Sequence, residues 1–109
     1  MTLYDAQLHA LGDATRRAIV TRLRSSGAIP VVELAREFPI SRPAVSQHLK
    51  VLKDARLVTD EARGRLRLYR LDPAGFSSLR DYFDQFWTEA LDAFAQHVEA
   101  RATRRRRKP

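Results

Sequence analysis

Cysteine is absent from the 109-residue sequence, which also has only four glycines, five prolines and one tryptophan. Without thiols the chain has no disulfide framework, no zinc–thiolate or iron–sulfur site and no thiol nucleophile. No apolar run approaches the roughly 18 residues of a membrane span. The first residues lack the basic start and the apolar stretch of a secretory signal. We therefore expect a cytoplasmic protein with one small folded domain and no membrane association.

The sequence also has few of the residue groups on which catalysis or metal binding depends. It contains no phosphate-binding glycine loop, no nucleophile elbow and no recognisable acid–base constellation. Among its three histidines, His9 has Asp5 at i−4 but no third ligand nearby, and His97 has no potential ligand three or four residues away. His48 falls at the boundary of a predicted helical face, where packing is the simpler role. We expect no enzymatic activity, no metal site and no cofactor.

Charge is distributed unevenly along the chain, whose formal net charge is +7. Residues 42–70 carry eight basic and three acidic side chains, whereas residues 71–100 carry one basic and six acidic side chains. The last nine residues add six basic side chains. Because each neutralised phosphate releases condensed counterions, the basic block favours a polyanionic partner. The acidic block indicates that a different face of the molecule points away from that partner.

The apolar pattern changes from a helical period to an alternating one and back again. It predicts helices at 3–11, at 14–25 after the cap Asp13, at 31–38, from the cap Ser41 with Pro43 in its first turn, and from 73 to about 100. Segments 57–61 and 66–71 flank a turn in which Gly64 supplies a positive φ, as in a β-hairpin. The predicted fold is a winged helix-turn-helix, mainly α, with about five helices and a two-stranded wing.

The helix opened by Ser41 has the pattern of a recognition helix. Val45, Leu49 and Leu52 form its buried stripe, so at 100° per residue the opposite side faces solvent. The predicted DNA-binding residues on that side and at its flanks are Ser41, Arg42, Pro43, Ser46, Gln47, Lys50 and Lys53. Gln reaches adenine and Lys reaches guanine in a major groove, while flanking cations suit phosphates. Any amphipathic surface helix would share the pattern, but the tight turn and the basic hairpin favour DNA binding.

The hairpin carries three alternating arginines, Arg63, Arg65 and Arg67. An extended strand would place all three on one side, where they would fit a narrow minor groove or adjacent phosphates. The alternative is a basic edge that prevents edge-to-edge pairing of strands. Next to a recognition helix, DNA binding is the better interpretation.

The last helix carries more aromatic surface than so small a domain can easily bury. The predicted dimer-interface residues on this helix and the first one are Leu3, Leu8, Phe83, Phe86, Trp87, Leu91, Phe94 and Val98. An exposed apolar patch of this size marks an interface. A two-fold dimer of this kind matches palindromic half-sites roughly 34 Å apart. The alternative is an effector pocket lined by the aromatic side chains.

Four segments resemble the ArsR family of bacterial winged-helix repressors. They are Gly12–Ile19, Glu33–Ala35, Ser41–Lys53 and Tyr69–Asp72. The resemblance covers about residues 5–98, and residues 41–53 are its most specific part. It implies a symmetric homodimer with recognition helices in successive major grooves, wings on the flanking DNA, and repression by promoter occlusion.

The sequence departs from the family at three places. Ala14 stands where many relatives have proline, and Val31 and Val32 replace the usual Ser or Thr cap of the third helix. The cysteines that the metal-sensing branch of the family carries in that helix are missing.

The sequence therefore predicts a winged helix-turn-helix domain at 1–100, with a dimerisation helix at 73–100 and a basic, disordered tail at 101–109. The tail either adds phosphate contacts or has no dedicated role. The predicted function is a sequence-specific, homodimeric transcriptional repressor that binds double-stranded DNA at a palindromic operator in the bacterial nucleoid. The alternative is a nucleoid- or RNA-binding protein that acts through charge alone. The inducing signal is left open.

Overall fold

The computed structural model describes residues 2–106, with side chains up to residue 104. Five helices and a three-stranded antiparallel sheet follow one another as α1 (Leu3–Leu11), α2 (Ala14–Ser26), β1 (Ile29–Pro30), α3 (Val31–Arg36), α4 (Arg42–Asp54), β2 (Val58–Arg63), β3 (Leu66–Leu71) and α5 (Pro73–Arg106). The first compact unit ends at Leu79, and the second begins at Arg80. The boundary thus falls within α5.

Short polar side chains begin the first two helices, and the cap of the second was predicted from the sequence. At α1, Thr2 and Asp5 form a reciprocal capping box. The Asp13 carboxylate accepts the backbone N–H of Arg16 at 3.0 Å and so caps α2. That hydrogen bond is the main reason why the pKa of Asp13 lies below its usual value. These caps satisfy backbone N–H groups that have no partner within their helices.

Two arginines of α2 close the end of α1. Arg16 Nε donates to the carbonyl of Ala10 at 2.7 Å, and Arg17 Nη1 donates to the carbonyl of Leu11 at 2.8 Å. The last carbonyls of a helix lack intrahelical partners and carry partial negative charge, which favours cations there. The two guanidinium groups therefore connect the first two helices.

The core of the first unit is aliphatic. Its buried members are Ala10, Ile19, Leu23, Ile29, Leu34, Val45, Leu49, Leu52, Ala55, Leu57 and Val58. They come from α1 to α4 and from the first strands, so α4 packs on its neighbours through one side only. This confirms the predicted buried stripe of the helix opened by Ser41.

The sheet has one strand more than the predicted two-stranded wing. Ile29 pairs with Tyr69 and Pro30 with Leu68, which gives the strand order β1-β3-β2. A two-residue strand that ends in proline has no alternating pattern of its own, and it exists only because β3 lies beside it. Proline is tolerated because β1 is an edge strand.

The predicted hairpin is present between β2 and β3. Ala62 pairs with Arg67 and Arg63 with Leu66, so the turn consists of residue 64 and residue 65 alone. Gly64 has φ 62°, the positive value that two-residue hairpin turns require.

A close backbone approach joins the end of α4 to the start of α5. Arg56 has φ 58° and follows α4 in a turn that the N–H of Leu57 closes on the carbonyl of Leu52. Gly75 lies directly against Arg56, since a Cβ at Gly75 would be 1.5 Å from the Arg56 carbonyl oxygen. The carbonyl of Gly75 accepts a hydrogen bond from Nε2 of the fully buried Gln7 at 3.0 Å.

The basic tail differs from its prediction. Residues 101–106 continue α5, whereas disorder was expected from 101 onward. Alanine and arginine are good helix formers, and cationic side chains are favourable at the C-terminal end of a helix. Residues 107–109 of the predicted tail lie outside the described residues.

We predict that Gly75→Ala destabilises the protein, although the same change inside an ordinary helix stabilises it by about 1 kcal/mol. The added methyl group has to displace the Arg56 carbonyl, and overpacking of this kind costs about 1–3 kcal/mol. Urea denaturation at a fixed protein concentration measures the change. Ser77→Ala, at an exposed position of the same helix, is the control and should change stability by less than about 0.5 kcal/mol. Greater stability of Gly75→Ala would contradict the close approach.

Candidate nucleic-acid interface

The rotation of α4 places three polar side chains on its outer side. Val45, Leu49 and Leu52 have no exposed surface, and we call the residues opposite them, Ser46, Gln47 and Lys50, the readout surface. All three are exposed, and none makes a side-chain hydrogen bond or ion pair within the part of the chain that the structure describes. Their donors and acceptors are therefore free to meet an external partner.

The first turn of α4 is exposed as well. Ser41 Oγ accepts the backbone N–H of Ala44 at 3.2 Å, so this side chain caps the helix as predicted. Arg42 and Pro43 are exposed beside it, and no described residue pairs with the Arg42 guanidinium. The N–H groups and the positive end of the helix dipole also favour an anion here.

His48 lies in α4 and contacts residues at the start of α2. Its imidazole is 24% exposed, with Nδ1 3.4 Å from Nη1 of Arg16 and 3.9 Å from Oδ2 of Asp13. Its position at the edge of the buried face agrees with a packing role. No metal cluster forms around it, since no three His, Asp or Glu side chains within residues 2–106 converge as ligands would.

The wing arginines do not share one side of the hairpin, so that prediction is wrong. Side chains alternate along a strand, and residues paired across strands share a face. Arg63 pairs with Leu66 and Arg67 with Ala62, which places these arginines on opposite faces. Arg65 lies in the turn between the strands and is exposed. The prediction assumed one extended strand through 63–67, whereas the chain reverses at residues 64–65.

A carboxylate with a largely buried side chain, which no sequence pattern indicates, connects the wing to α4. Asp60 Oδ1 accepts from Lys53 Nζ at 2.8 Å, and Asp60 Oδ2 accepts from Arg67 Nη1 at 2.7 Å. We call these three residues the Asp60 bridge. Only 7% of the Asp60 side chain is exposed, whereas the two cations are about half-exposed at 51% and 52%.

The bridge also changes the charge available at the interface. The hydrogen bond from Lys53 is the largest cause that lowers the pKa of Asp60, Arg67 acts in the same direction, and burial opposes them. Two of the predicted DNA-contacting cations, Lys53 and Arg67, are therefore already paired with a carboxylate of the same chain. Arg63 has only a long contact of 3.5 Å with the exposed Glu61, a kind of pair that contributes little. Asp60 and Arg67 lie on different strands, so alternation along the sequence does not predict that they share a face; the strand register places them there.

The second unit presents a row of large apolar side chains to solvent. Exposed fractions are 40% for Phe83, 57% for Phe86 and Trp87, 59% for Leu91, 65% for Phe94 and 47% for Val98. Phe86 and Trp87 contact each other edge to face, with ring centroids 6.0 Å apart. These are six of the residues predicted for the dimer interface. The other two belong to α1, where Leu8 is exposed and Leu3 is half-buried. Within the described residues, no helix combines the length and the apolar character needed to cross a membrane.

Comparisons with known proteins agree with this geometry. A family model for a helix-turn-helix domain matches residues 11–61. The chain is 56% identical over 96 residues to the HTH-type transcriptional regulator Rv2034 of Mycobacterium tuberculosis. The match covers 88% of this chain and 89% of the relative. It is 36% identical over 63 residues to the transcriptional repressor SdpR of Bacillus subtilis. That match covers 58% of this chain and 69% of the relative. The crystal structure of the ArsR family transcriptional regulator RHA00566 superposes with a TM-score of 0.74 at 27% identity, covering 84% of this chain and 98% of the other.

We predict that Ser41→Ala lowers the free energy of unfolding by about 1 kcal/mol, because the N–H of Ala44 loses its acceptor. Ser41→Asp, which keeps an acceptor at the cap, should retain the stability. Thermal unfolding followed by circular dichroism checks both variants. Ser46→Ala removes the same hydroxyl from an exposed position without a hydrogen bond and serves as the control. Equal effects of Ser41→Ala and Ser46→Ala would show that the cap does not stabilise α4.

Proposed function

The chain belongs to the ArsR family of winged helix-turn-helix transcriptional regulators, and on that premise we propose that it binds a palindromic operator as a homodimer and represses transcription by occluding a promoter. The observation that carries the proposal is the unpaired readout surface on a helix whose opposite side is completely buried. The family consists of DNA-binding regulators and not of enzymes.

The readout surface supplies the base contacts in this proposal. The Gln47 amide matches the N6 and N7 edge of adenine, and the Lys50 ammonium matches the O6 and N7 acceptors of guanine. Ser46 donates or accepts at either base. A helix that enters the major groove presents residues of its N-terminal half to base edges, and all three residues lie in the first three turns of α4.

Phosphates are contacted by the cations around the readout surface. Arg42 flanks it at the start of α4, and Arg63 and Arg65 lie at the tip of the wing, where they reach flanking DNA. Lys53 and Arg67 also lie at this surface, but the Asp60 bridge holds them. The cationic end of α5, from Arg101 onward, adds sequence-independent attraction.

The exposed aromatic row of α5 supports the homodimer. A monomer in water rarely leaves so many large apolar side chains 40–65% exposed along one helix. A second copy of the same helix would cover the row, and Leu3 and Leu8 of the first helix would also contact the partner chain. Two-fold symmetry then presents two copies of α4 to two half-sites, as a palindrome requires.

Repression follows from occupancy of DNA. A dimer bound in two successive major grooves excludes other proteins from the stretch of promoter DNA that it occupies. The similarity to a relative named as a transcriptional repressor supports this direction of regulation. Such a protein acts in the cytoplasm at the nucleoid, where its DNA is.

Selection of binding sites from random duplexes at about 150 mM salt tests the proposal directly. The chain of 109 residues and a version that ends at residue 100 should both enrich one palindrome, with half-site centres about 10 base pairs apart. Enrichment by neither would favour binding through charge alone, and so would contradict sequence-specific regulation. Enrichment by the longer chain only would assign the basic end of α5 a necessary part in binding.

We predict that Gln47→Ala weakens binding to the selected palindrome by about tenfold or more and leaves random duplex nearly unchanged, since a bidentate base contact contributes about 1–3 kcal/mol of discrimination. Fluorescence anisotropy with both duplexes measures the difference. Arg65→Ala is the matched comparison: it should weaken both duplexes alike and reduce the salt slope by about 1. If Gln47→Ala weakened both duplexes equally, α4 would not contact bases.

We predict that Phe94→Glu converts the dimer into monomers, because it places a charge in the middle of the apolar row. Loss of a central aromatic contact raises a dissociation constant by about 30-fold or more. Sedimentation velocity at micromolar concentration checks the state of association, and circular dichroism checks that the helix content is retained. Gln96→Glu adds the same charge two residues away and should leave the dimer intact. A wild-type monomer, or a dimer that tolerates Phe94→Glu, would contradict the proposed interface.

A further inference from the structure

The Asp60 bridge is unusual because it combines a nearly buried carboxylate with two cations that lie at the proposed DNA interface. Exposed ion pairs contribute little because water and salt screen them. Asp60 is only 7% exposed, and each of its oxygens accepts a separate short hydrogen bond, at 2.8 and 2.7 Å. Charge-assisted hydrogen bonds of this length to a shielded carboxylate are strong. We therefore expect the bridge to persist in the free protein, unlike an exposed ion pair.

The three members of the bridge belong to three different elements. Lys53 lies in the last turn of α4, Asp60 on β2 and Arg67 on β3. Asp60 and Arg67 lie diagonally across the hairpin on one face, since Ala62 is the partner of Arg67 and shares its face with Asp60. One carboxylate thus connects both strands of the wing to the end of the helix that presents the readout surface.

This connection fixes how the wing stands relative to α4. A winged helix binds best when its helix enters the major groove while its wing contacts the flanking DNA. Holding both in that arrangement before binding avoids the cost of ordering them in the complex. A mobile wing would instead contact phosphates in many arrangements, and binding through such contacts does not depend on the DNA sequence.

The bridge also limits non-specific attraction. Each lysine or arginine that neutralises a phosphate steepens the fall of log K with log salt by about 0.9. Lys53 and Arg67 are half-exposed, so without Asp60 both would be available to phosphates of any sequence. With Asp60 in place, its negative charge offsets one of the two positive charges, and both cations are held in ion pairs with its carboxylate.

We propose that Asp60 is a specificity-determining residue: its carboxylate holds the wing in register with α4 and keeps Lys53 and Arg67 from sequence-independent contacts with phosphates. The inference rests on the proposed function, since it concerns the ratio of specific to non-specific DNA binding. Asp60 itself contacts no base in this arrangement and acts as a positioning residue.

Asp60→Asn is the test, and Glu61→Gln is its matched control. Both changes remove one negative charge from neighbouring positions of β2, but Glu61 is exposed and has only the 3.5 Å contact with Arg63. With random duplex, Asp60→Asn should steepen the salt slope by about 1 to 2, which corresponds to one or two additional phosphate contacts. Each additional contact raises the affinity about eightfold at 0.1 M salt. Glu61→Gln should change the slope by less than half as much.

The ratio of affinities for the selected palindrome and for random duplex should fall about tenfold in Asp60→Asn and stay near the wild-type value in Glu61→Gln. Equal ratios in the two variants would show that Asp60 acts through net charge alone and would overturn the inference. Failure of the wild-type protein to bind any duplex would instead overturn the proposed function, so the two failures are distinguishable.

A second measurement requires no DNA. Amide hydrogen exchange of β2 and β3 should accelerate by about tenfold in Asp60→Asn, the factor expected when a charge-assisted hydrogen bond is lost, and remain nearly unchanged in Glu61→Gln. Unchanged exchange in Asp60→Asn would show that the carboxylate does not hold the wing, whatever the DNA measurements give.

A third comparison leaves Asp60 untouched and so remains valid if Asp60→Asn does not fold. Lys53→Gln should reduce the salt slope for random duplex by less than about 0.3, whereas Arg42→Gln, which removes an unpaired cation of the same helix that the proposal assigns to phosphates, should reduce it by about 0.9. If the two changes had equal effects, Lys53 would contact phosphates in spite of the bridge, and the inference would be wrong.

Discussion

Burial of Val45, Leu49 and Leu52 fixes the rotation of α4 about its axis, and the proposed interface depends on that rotation. Side chains at these spacings lie on one side of a helix, so packing them into the aliphatic core directs Gln47 and Lys50 outward. Turning the helix to hide the polar residues would expose three large apolar side chains, each of which gains about 1.5–3 kcal/mol from burial. The core thus stabilises the fold and orients the surface at the same time.

Electrostatics then determine which cations of that surface are available. Arg42, Lys50 and Arg65 have no partner within the described residues, whereas Lys53 and Arg67 share the Asp60 carboxylate. A count of basic residues in 42–70 therefore overstates the charge offered to DNA. It also misses that the buried carboxylate connects the wing to α4, which makes the arrangement of helix and wing a property of the free protein.

Local signals in the sequence were enough for most of the fold. Caps such as Ser41, the apolar period of α4 and the glycine of the hairpin turn act within a few residues, and each was confirmed. What could not be predicted depends on contacts between distant residues. Strand β1 exists only beside β3, Gly75 is required by the Arg56 carbonyl, and Asp60 meets Arg67 only in the observed register. The misplaced wing arginines have the same cause, since the exact position of the turn decides which face each side chain takes.

The proposed interface requires α4 to contact bases from the major groove, twice per dimer. Replacing purine N7 by carbon, one position at a time, in the selected duplex removes a major-groove acceptor without changing the minor groove or the phosphates. Binding should weaken by about tenfold when the replaced purine lies within either of two half-sites about 10 base pairs apart, and should be unchanged when it lies between them. Binding that tolerated every such replacement would show that α4 does not lie in the major groove.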